Sequence, residues 1–99
     1  MRQLNENQIF QYNGSPITFQ KGDSVMVNAT EMAKPFGKRC NDFLSTKQTK
    51  ELISSLSAKT GISATGLVTV NQGGNNQGTW MHEDLALVFA QWLSPDFYL

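Results

Sequence analysis

Residues 27–44 of the chain read VNATEMAKPFGKRCNDFL, and this stretch decides the fold class. Asn28 is a good helix N-cap, and Glu31 follows it at the spacing of a capping box. We therefore expect a helix to begin at Ala29. Pro35 should end this helix early, because proline in a helix removes a backbone hydrogen bond.

The turn that follows has the spacing of a helix-turn-helix motif. In that motif a small residue on the first helix faces a turn glycine four positions later, because the two helices cross closely. Ala33 and Gly37 satisfy this spacing, and residues 39–44 suit a second short helix. The second helix is therefore the candidate recognition helix.

The outer face of the second helix carries side chains that suit DNA. Arginine can donate two hydrogen bonds to guanine and asparagine can pair with adenine, which makes Arg39 and Asn41 the candidate base-reading residues. Residues 34–50 contain five cations against one acid, Asp42, and the flanking lysines are candidate phosphate contacts. The alternative is an ordinary solvated face, since lysine is common on exposed helices. The candidate DNA-binding side chains of this segment are Lys34, Lys38, Arg39, Asn41, Lys47 and Lys50.

Short β-prone runs before this stretch predict a small antiparallel meander. Residues 9–12 and 17–19 flank an Asn-Gly dipeptide at 13–14, which favours a two-residue hairpin turn. A second turn over residues 21–23 leads to a third strand over residues 25–27. These strands are expected to be scaffold.

After the second helix, the sequence predicts a third helix and then a hairpin. A capping box that begins at Ser45 predicts a helix over residues 46–59. Residues 61–66 are rich in serine, threonine and glycine and are expected to form a loop. Strands are predicted over residues 67–70 and 78–81.

The loop between these two strands is polar, uncharged and contains two glycines. It suits the wing of a winged helix, whose glycines let the backbone approach phosphates and whose amides can donate in a groove. An ordinary hairpin loop has the same composition, and the wing is preferred because a basic helix-turn-helix precedes it. The candidate wing contacts are Gln72, Gly73, Gly74, Asn75, Asn76 and Gln77.

A final amphipathic helix is expected to start near His82, where Glu83 and Asp84 suit the positive end of the helix dipole. Its apolar residues have helical spacing and are expected to form the main core face. These residues are Leu85, Val88, Phe89, Trp92 and Leu93. Ser94 and Pro95 then have the signature of one more helix start, which suggests that the chain is the N-terminal fragment of a longer protein.

Composition and charge limit the remaining function classes. The chain has 99 residues, 39% of them hydrophobic, and a formal net charge of zero, so one domain is expected and no global field attracts it to DNA. Its single cysteine, Cys40, cannot form an internal disulfide and is expected to behave as a small buried hydrophobe. No membrane span or secretory signal is visible, so the expected location is the cytoplasm.

Two other function classes compete with DNA binding. A nuclease is one, because His82, Glu83 and Asp84 are metal-competent neighbours. Successive helix residues point about 100° apart, however, so the three side chains should not converge on one ion, and we expect no enzyme activity, metal or cofactor. A module that binds a repressor or another protein is the second alternative, since a neutral chain with a polar loop suits that role as well.

Several separated motifs, in order, resemble the KilA-N domain of phage and DNA-virus proteins. They are VNATEMAKPFGKR, NDFLSTKQTKELI, the Gly73-Gly74-Asn75 loop and GTWMHEDLALVFAQWLSPDF, and the resemblance runs from about Phe10 to Phe97. That family is similar in fold to the DNA-binding domain of the fungal APSES transcription factors, which implies a winged helix-turn-helix that binds DNA. The resemblance also implies a phage or prophage origin and a role like that of an antirepressor or transcription regulator.

The resemblance assigns parts of the chain as well. It implies a first helix over residues 29–36, a second over 38–44 and a wing over 72–77. The family's tryptophan and apolar positions fall on residues that we assign to core packing, namely Trp80, Leu85, Ala86, Ala90, Trp92 and Leu93. The expected structure is thus a single α+β domain over residues 1–99 that binds double-stranded DNA. A homodimer formed through a following region is a further candidate arrangement.

Overall fold

The computed structural model describes residues 7–12, 15–22, 24–73 and 77–94, which form an α+β fold. The strands are β1 (Asn7–Tyr12), β2 (Ser15–Lys21), β3 (Val25–Asn28), β4 (Val68–Asn71) and β5 (Gly78–His82). The helices are α1 (Ala29–Ala33), α2 (Cys40–Leu44), α3 (Lys47–Thr60), α4 (Ala64–Leu67) and α5 (Glu83–Leu93). Within this described part of the chain, no helix is long and apolar enough to cross a membrane.

A single antiparallel sheet places the two halves of the chain side by side. Its strand order is β1-β2-β3-β5-β4, so β5 lies between β3 and β4. Val27 of β3 pairs with Met81 of β5, and both side chains are buried. The predicted meander and the predicted hairpin are confirmed by the pairing of β1 with β2, β2 with β3, and β4 with β5. The predicted turn residues 13, 14 and 23 lie outside the described residues.

Helix α5 supplies the main core face, as its periodicity predicts. Leu85, Phe89 and Leu93 are buried at the four-residue spacing of one helix face. Phe43 of α2 packs against them, with its ring centroid 5.0 Å from that of Phe89 and 5.5 Å from that of Trp92. The core therefore joins the candidate recognition helix to α5.

The core assignments hold with one exception. Trp80, Ala86 and Ala90 are buried, and Trp92 is half-buried against the core. The predicted core position of Val88 is wrong, because 37% of this residue is exposed. Val88 lies three residues after Leu85, at the edge of the apolar face, and helical spacing alone does not fix where that edge falls.

Helix α3 begins one residue later than the sequence predicts. Its N-cap is Thr46, whose Oγ1 accepts the N–H of Thr49 at 3.1 Å. The predicted cap at Ser45 is wrong, because the Ser45 hydroxyl instead donates to the carbonyl of Asp42 at 3.3 Å. Adjacent serine and threonine are both good caps, so the local sequence did not distinguish them.

The segment expected to be a loop over residues 61–66 contains a helical turn, α4. Ser63 caps it by accepting the N–H of Gly66 at 3.2 Å. Leu67 ends this helix fully buried, so the strand begins at Val68 and not at residue 67. Glycine in a helix costs about 1 kcal/mol relative to alanine, whereas burying a leucine contributes about 1.5–3 kcal/mol, and the burial decides the conformation.

Candidate nucleic-acid interface

The first helix of the candidate interface starts where the sequence predicts. Asn28 caps α1, with its Oδ1 accepting the N–H of Glu31 at 3.1 Å. The Glu31 carboxylate has a different partner from the one that a capping box requires, since its Oε1 accepts the N–H of Thr18 at 2.6 Å. Helix α1 is therefore fixed to β2 as well as capped.

The turn between α1 and α2 depends on one glycine. After the buried Ala33, the chain forms a 3-10 turn over Lys34–Phe36, and Gly37 then adopts a left-handed φ of 64°. A Cβ atom at Gly37 would meet no other atom within 4 Å. Glycine is thus needed for its backbone conformation, and not for the close helix crossing that the spacing suggested.

Helix α2 presents its polar side chains to solvent. It is a five-residue helix that begins at Cys40, two residues later than the family resemblance implies, and Arg39 precedes it in extended conformation. Phe43 is buried in the core, whereas Arg39, Asn41 and Asp42 are exposed. The two candidate base-reading residues therefore lie at the exposed start of the second helix.

Lys38, the first cation after the turn, contacts α5. Its Nζ donates to the carbonyl oxygens of Leu93 at 3.2 Å and Trp92 at 3.5 Å. The same ammonium lies 5.0 Å from the centroid of the Trp92 ring. A cation at this end of a helix satisfies free carbonyls and the negative end of the dipole. Lys38 is therefore held by the protein itself, whereas no described residue makes such a contact with the side chains of the other predicted cations.

The remaining predicted cations are exposed. Among the described residues, the only basic side chain within 4.0 Å of a carboxylate is that of His82, beside Asp84, so none of these cations is paired with a described carboxylate. They are Lys34, Arg39, Lys47 and Lys50. Their positive charges face solvent along the segment that contains α2.

The base of the predicted wing lies against the first turn of α1. Asn28 Nδ2 donates to the carbonyl of Gln77 at 3.2 Å, and the N–H of Thr79 donates to Thr30 Oγ1 at 3.0 Å. Gln72, Gly73 and Gln77 are exposed, whereas residues 74–76 lie outside the described residues. Among the candidate wing contacts, Gly74, Asn75 and Asn76 therefore stay predictions.

Cys40, the first residue of α2, is half-buried. This burial raises the pKa of its thiol above the ordinary value of 9.0, and the Thr30 hydroxyl acts in the opposite direction. The thiol at the start of α2 therefore lies partly inside the protein, unlike the neighbouring side chains of Arg39 and Asn41.

Sequence reasoning did not find Thr30 or the contact of Asn28 with the wing. Asn28 was assigned only its local capping role, and a threonine in the first turn of a helix is common for local reasons. The partners Gln77 and Thr79 are 49 positions further along the chain. A single sequence carries no signal for such a long-range pairing.

His82, Glu83 and Asp84 form a helix start. The Nδ1 atom of His82 accepts the N–H of Asp84 at 3.1 Å and so caps α5. His82 is buried, whereas Glu83 and Asp84 are exposed. Over the residues that the structure describes, no group of three histidine, cysteine or acidic side chains is placed to hold a metal ion.

The sequence is similar to known viral proteins. It is 35% identical over 73 residues to the putative KilA-N domain-containing protein L32 of Acanthamoeba polyphaga mimivirus. This match covers 71% of this chain and 20% of the relative. It is 38% identical over 65 residues to the putative KilA-N domain-containing protein L37 of the same virus. This match covers 61% of this chain and 13% of the relative. The matches thus span a fifth or less of each relative. No solved structure matches significantly. The model of the KilA-N domain family matches residues 10–99, and the chain belongs to this family, whose domains are generally DNA-binding.

Proposed function

We propose that this domain binds double-stranded DNA, with α2 in the major groove and the wing against the backbone. The observation that carries the proposal is a set of exposed cations with no ion pair to another described residue. They are Lys34, Arg39, Lys47 and Lys50. Cations that the protein does not neutralise are available to phosphates.

The local charge supports binding even though the whole chain is neutral. Residues 34–50 contain five cations and one acid, which gives this segment a formal charge of +4 and leaves −4 on the rest. Charges more than about 8 Å apart are largely screened at physiological salt. A phosphate backbone beside this segment therefore experiences its local positive charge rather than the net charge of the chain.

The exposed start of α2 suits base reading. Arg39 has the planar donor pair that matches the major-groove edge of guanine, and Asn41 has the donor and acceptor that match adenine. The amides of Gln72 and Gln77, at the two ends of the wing loop, suit contacts with the sugar-phosphate backbone. Base contacts would give sequence preference, and the lysines would give most of the affinity.

A fluorescence anisotropy titration of random-sequence duplex DNA at several salt concentrations tests the proposal. We expect the logarithm of the affinity to fall linearly with the logarithm of the salt concentration. Two exposed lysines on α3 provide a matched pair, because Lys50 lies in the cationic segment and Lys59 lies in the last turn, outside it. Lys50→Ala should reduce the slope by about one unit, and Lys59→Ala should leave it unchanged.

Each outcome of this titration is informative. A folded chain that does not bind at low salt, or that binds without salt dependence, would contradict DNA binding through these cations. Equal effects of Lys50→Ala and Lys59→Ala would show that the interaction is a general charge effect rather than a defined interface.

We also propose a biological role for the domain within a longer protein. The domain would be the sequence-preferring, non-catalytic part of a viral or phage regulator that resembles an antirepressor, in line with its family and its viral relatives. A homodimer of the longer protein would bind two symmetric half-sites. Selection of bound sequences by the full-length protein should then return an inverted repeat.

A nuclease would be indicated instead by magnesium-dependent cleavage of plasmid DNA that is lost on Glu83→Ala.

Recognition of another protein, such as a repressor, is the second candidate function. The observation that favours it is an exposed apolar pair on α5, where Leu87 is 47% and Val88 is 37% exposed. Saturable, salt-insensitive binding to a repressor that is lost on Leu87→Ser would support this candidate. The same substitution should leave DNA binding unchanged if the cationic segment is the functional surface.

A further inference from the structure

Strand β5 loses its neighbour on one side before it reaches the wing. On the β3 side, the ladder of strand pairs ends where Asn28 is opposite Trp80. Beyond that point the chain turns into α1, while β5 continues through Thr79 and Gly78 and remains paired only with β4. The wing arm, which we define as residues 77–79, would therefore leave backbone groups without strand partners on this side.

Two side chains of the α1 start take the place of the missing strand. Asn28 Nδ2 donates to the carbonyl of Gln77 at 3.2 Å. Two residues later on the same side of the strand, the N–H of Thr79 donates to Thr30 Oγ1 at 3.0 Å. Because strand groups on one side alternate every two residues, these contacts continue the ladder with side-chain atoms.

Gly78 shows how closely the wing arm lies against these two side chains. A Cβ atom there would lie 3.1 Å from Asn28 Oδ1 and 3.2 Å from Thr30 Oγ1, and the residue has a φ of 126°. Glycine is required here for its backbone conformation, and a Cβ atom would also force these two side chains to move by a few tenths of an ångström. The wing arm therefore lies in close contact with the start of α1.

Helix α1 is in turn joined to the start of the candidate recognition helix by a short turn that backbone hydrogen bonds close. The N–H of Gly37 donates to the carbonyl of Lys34 at 3.2 Å, and the N–H of Lys38 donates to the carbonyl of Ala33 at 3.4 Å. Thr30 is exposed, so its hydroxyl contributes the contact with Thr79 rather than core packing. This contact thus fixes the wing arm to the helix from which α2 follows.

We propose that Thr30 is a positioning residue that holds the wing arm against α1, and thereby in a fixed relation to α2, so that the wing and α2 contact DNA as one rigid surface. This inference rests on the proposed DNA binding. Preorganised surfaces bind more tightly because less conformational entropy is lost on binding. Without the hydroxyl, the wing arm loses a restraint, and the wing contributes less to affinity while α2 still binds.

The test compares Thr30→Val, which removes only the hydroxyl, with Thr30→Ser, which retains it. Affinity for duplex DNA should fall about three- to tenfold in Thr30→Val, the range that corresponds to one net hydrogen bond, and should stay near the wild-type value in Thr30→Ser. Hydrogen exchange of the Thr79 amide, measured without DNA, should accelerate in Thr30→Val because its acceptor is removed.

A double-mutant cycle separates positioning from direct contact with DNA. The wing variant Gln72→Ala/Gln77→Ala keeps the Gln77 carbonyl that Asn28 contacts. If Thr30 acts through the wing, adding Thr30→Val to this variant should cause little further loss of DNA affinity. As a control, the affinity losses from Thr30→Val and Lys47→Ala should multiply, because Lys47 lies on α3, away from the contact between Thr30 and the wing arm.

The outcomes distinguish this inference from the proposed function. A wild-type chain that does not bind DNA overturns both. If the wild-type chain binds DNA and Thr30→Val binds equally tightly, only the positioning role is overturned. The same holds if the affinity losses from Thr30→Val and from Gln72→Ala/Gln77→Ala multiply in the double-mutant cycle. Thr79 exchange that is unchanged in Thr30→Val would show that the hydroxyl does not hold the wing arm.

Discussion

The cationic segment over residues 34–50 and helix α5 contact each other but use their charges differently. In α5, Glu83 and Asp84 lie in the first turn, and Lys38 contacts the last-turn carbonyls from outside, so these charges stabilise the helix itself. In the segment, the other four cations face solvent without an ion pair to a described residue. Lys38 and Arg39 are adjacent in sequence and carry the same charge, but Lys38 contacts the end of α5 whereas Arg39 is exposed to solvent.

The largest expected effect is a loss of stability caused by a substitution in the core of α5. Phe89 is fully buried, whereas its neighbour Val88 is 37% exposed. Phe89→Ala should lower the free energy of unfolding by about 3–5 kcal/mol, because it removes a core aromatic ring and leaves a cavity. Val88→Ala is the control and should change it by about 0.5 kcal/mol. Urea denaturation measures both, and equal losses would contradict the burial pattern of α5.

The next largest effect is on DNA affinity and concerns Arg39, which is adjacent to Lys38 in the sequence. Arg39→Ala should weaken binding to a preferred duplex by about 1–3 kcal/mol if the guanidinium reads a guanine. Its unfolding free energy should stay unchanged, because Arg39 is exposed. Anisotropy and urea denaturation on the same protein samples measure the two quantities.

Lys38→Met is the matched variant and should have the opposite pattern. Methionine keeps an apolar stem against Trp92 but removes the ammonium that contacts the α5 carbonyls. We expect about 0.5–1 kcal/mol less stability. The salt slope of DNA binding should be retained. A slope that falls by a full unit would place Lys38 among the phosphate contacts and remove the contrast with Arg39.

The smallest effect concerns the pH dependence of stability and Cys40, a half-buried residue of the cationic segment. Burial holds the pKa of the folded-state thiol above 9.0, so the folded state retains the proton longer than the unfolded state. This contribution to stability is complete below the unfolded-state pKa and is lost as the pH rises towards the folded-state value. Wild-type stability should therefore decline above about pH 9 more than that of Cys40→Ser, whose hydroxyl does not titrate there. Parallel declines would contradict a buried thiol.

Local signals predicted much of this fold. The Asn28 cap, the end of α1 near Pro35 and the helical spacing of α5 all depend on residues within a few positions of one another, and the structure agrees with each. The choice between Ser45 and Thr46 as a cap failed because both residues satisfy the same local rule.

The candidate site was less predictable because its key contacts are long-range. Counting cations placed Lys38 with the other basic residues, since its partners on α5 lie 54 and 55 positions away. Thr30 was not singled out because its role depends on Thr79, 49 positions away. The helical turn before Leu67 was missed because composition gives no measure of the burial that stabilises it.

The position of β5 between β3 and β4 also constrains how the domain folds. The pairing of Val27 with Met81 closes a loop that contains all of α1 to α4, and such long-range pairing is slow because loop-closure entropy is lost before the contacts form. During synthesis, the segment over residues 34–50 leaves the ribosome before the strand and the helix that support it. The proposed DNA-binding surface therefore forms late, when β5 and α5 have joined the sheet and core.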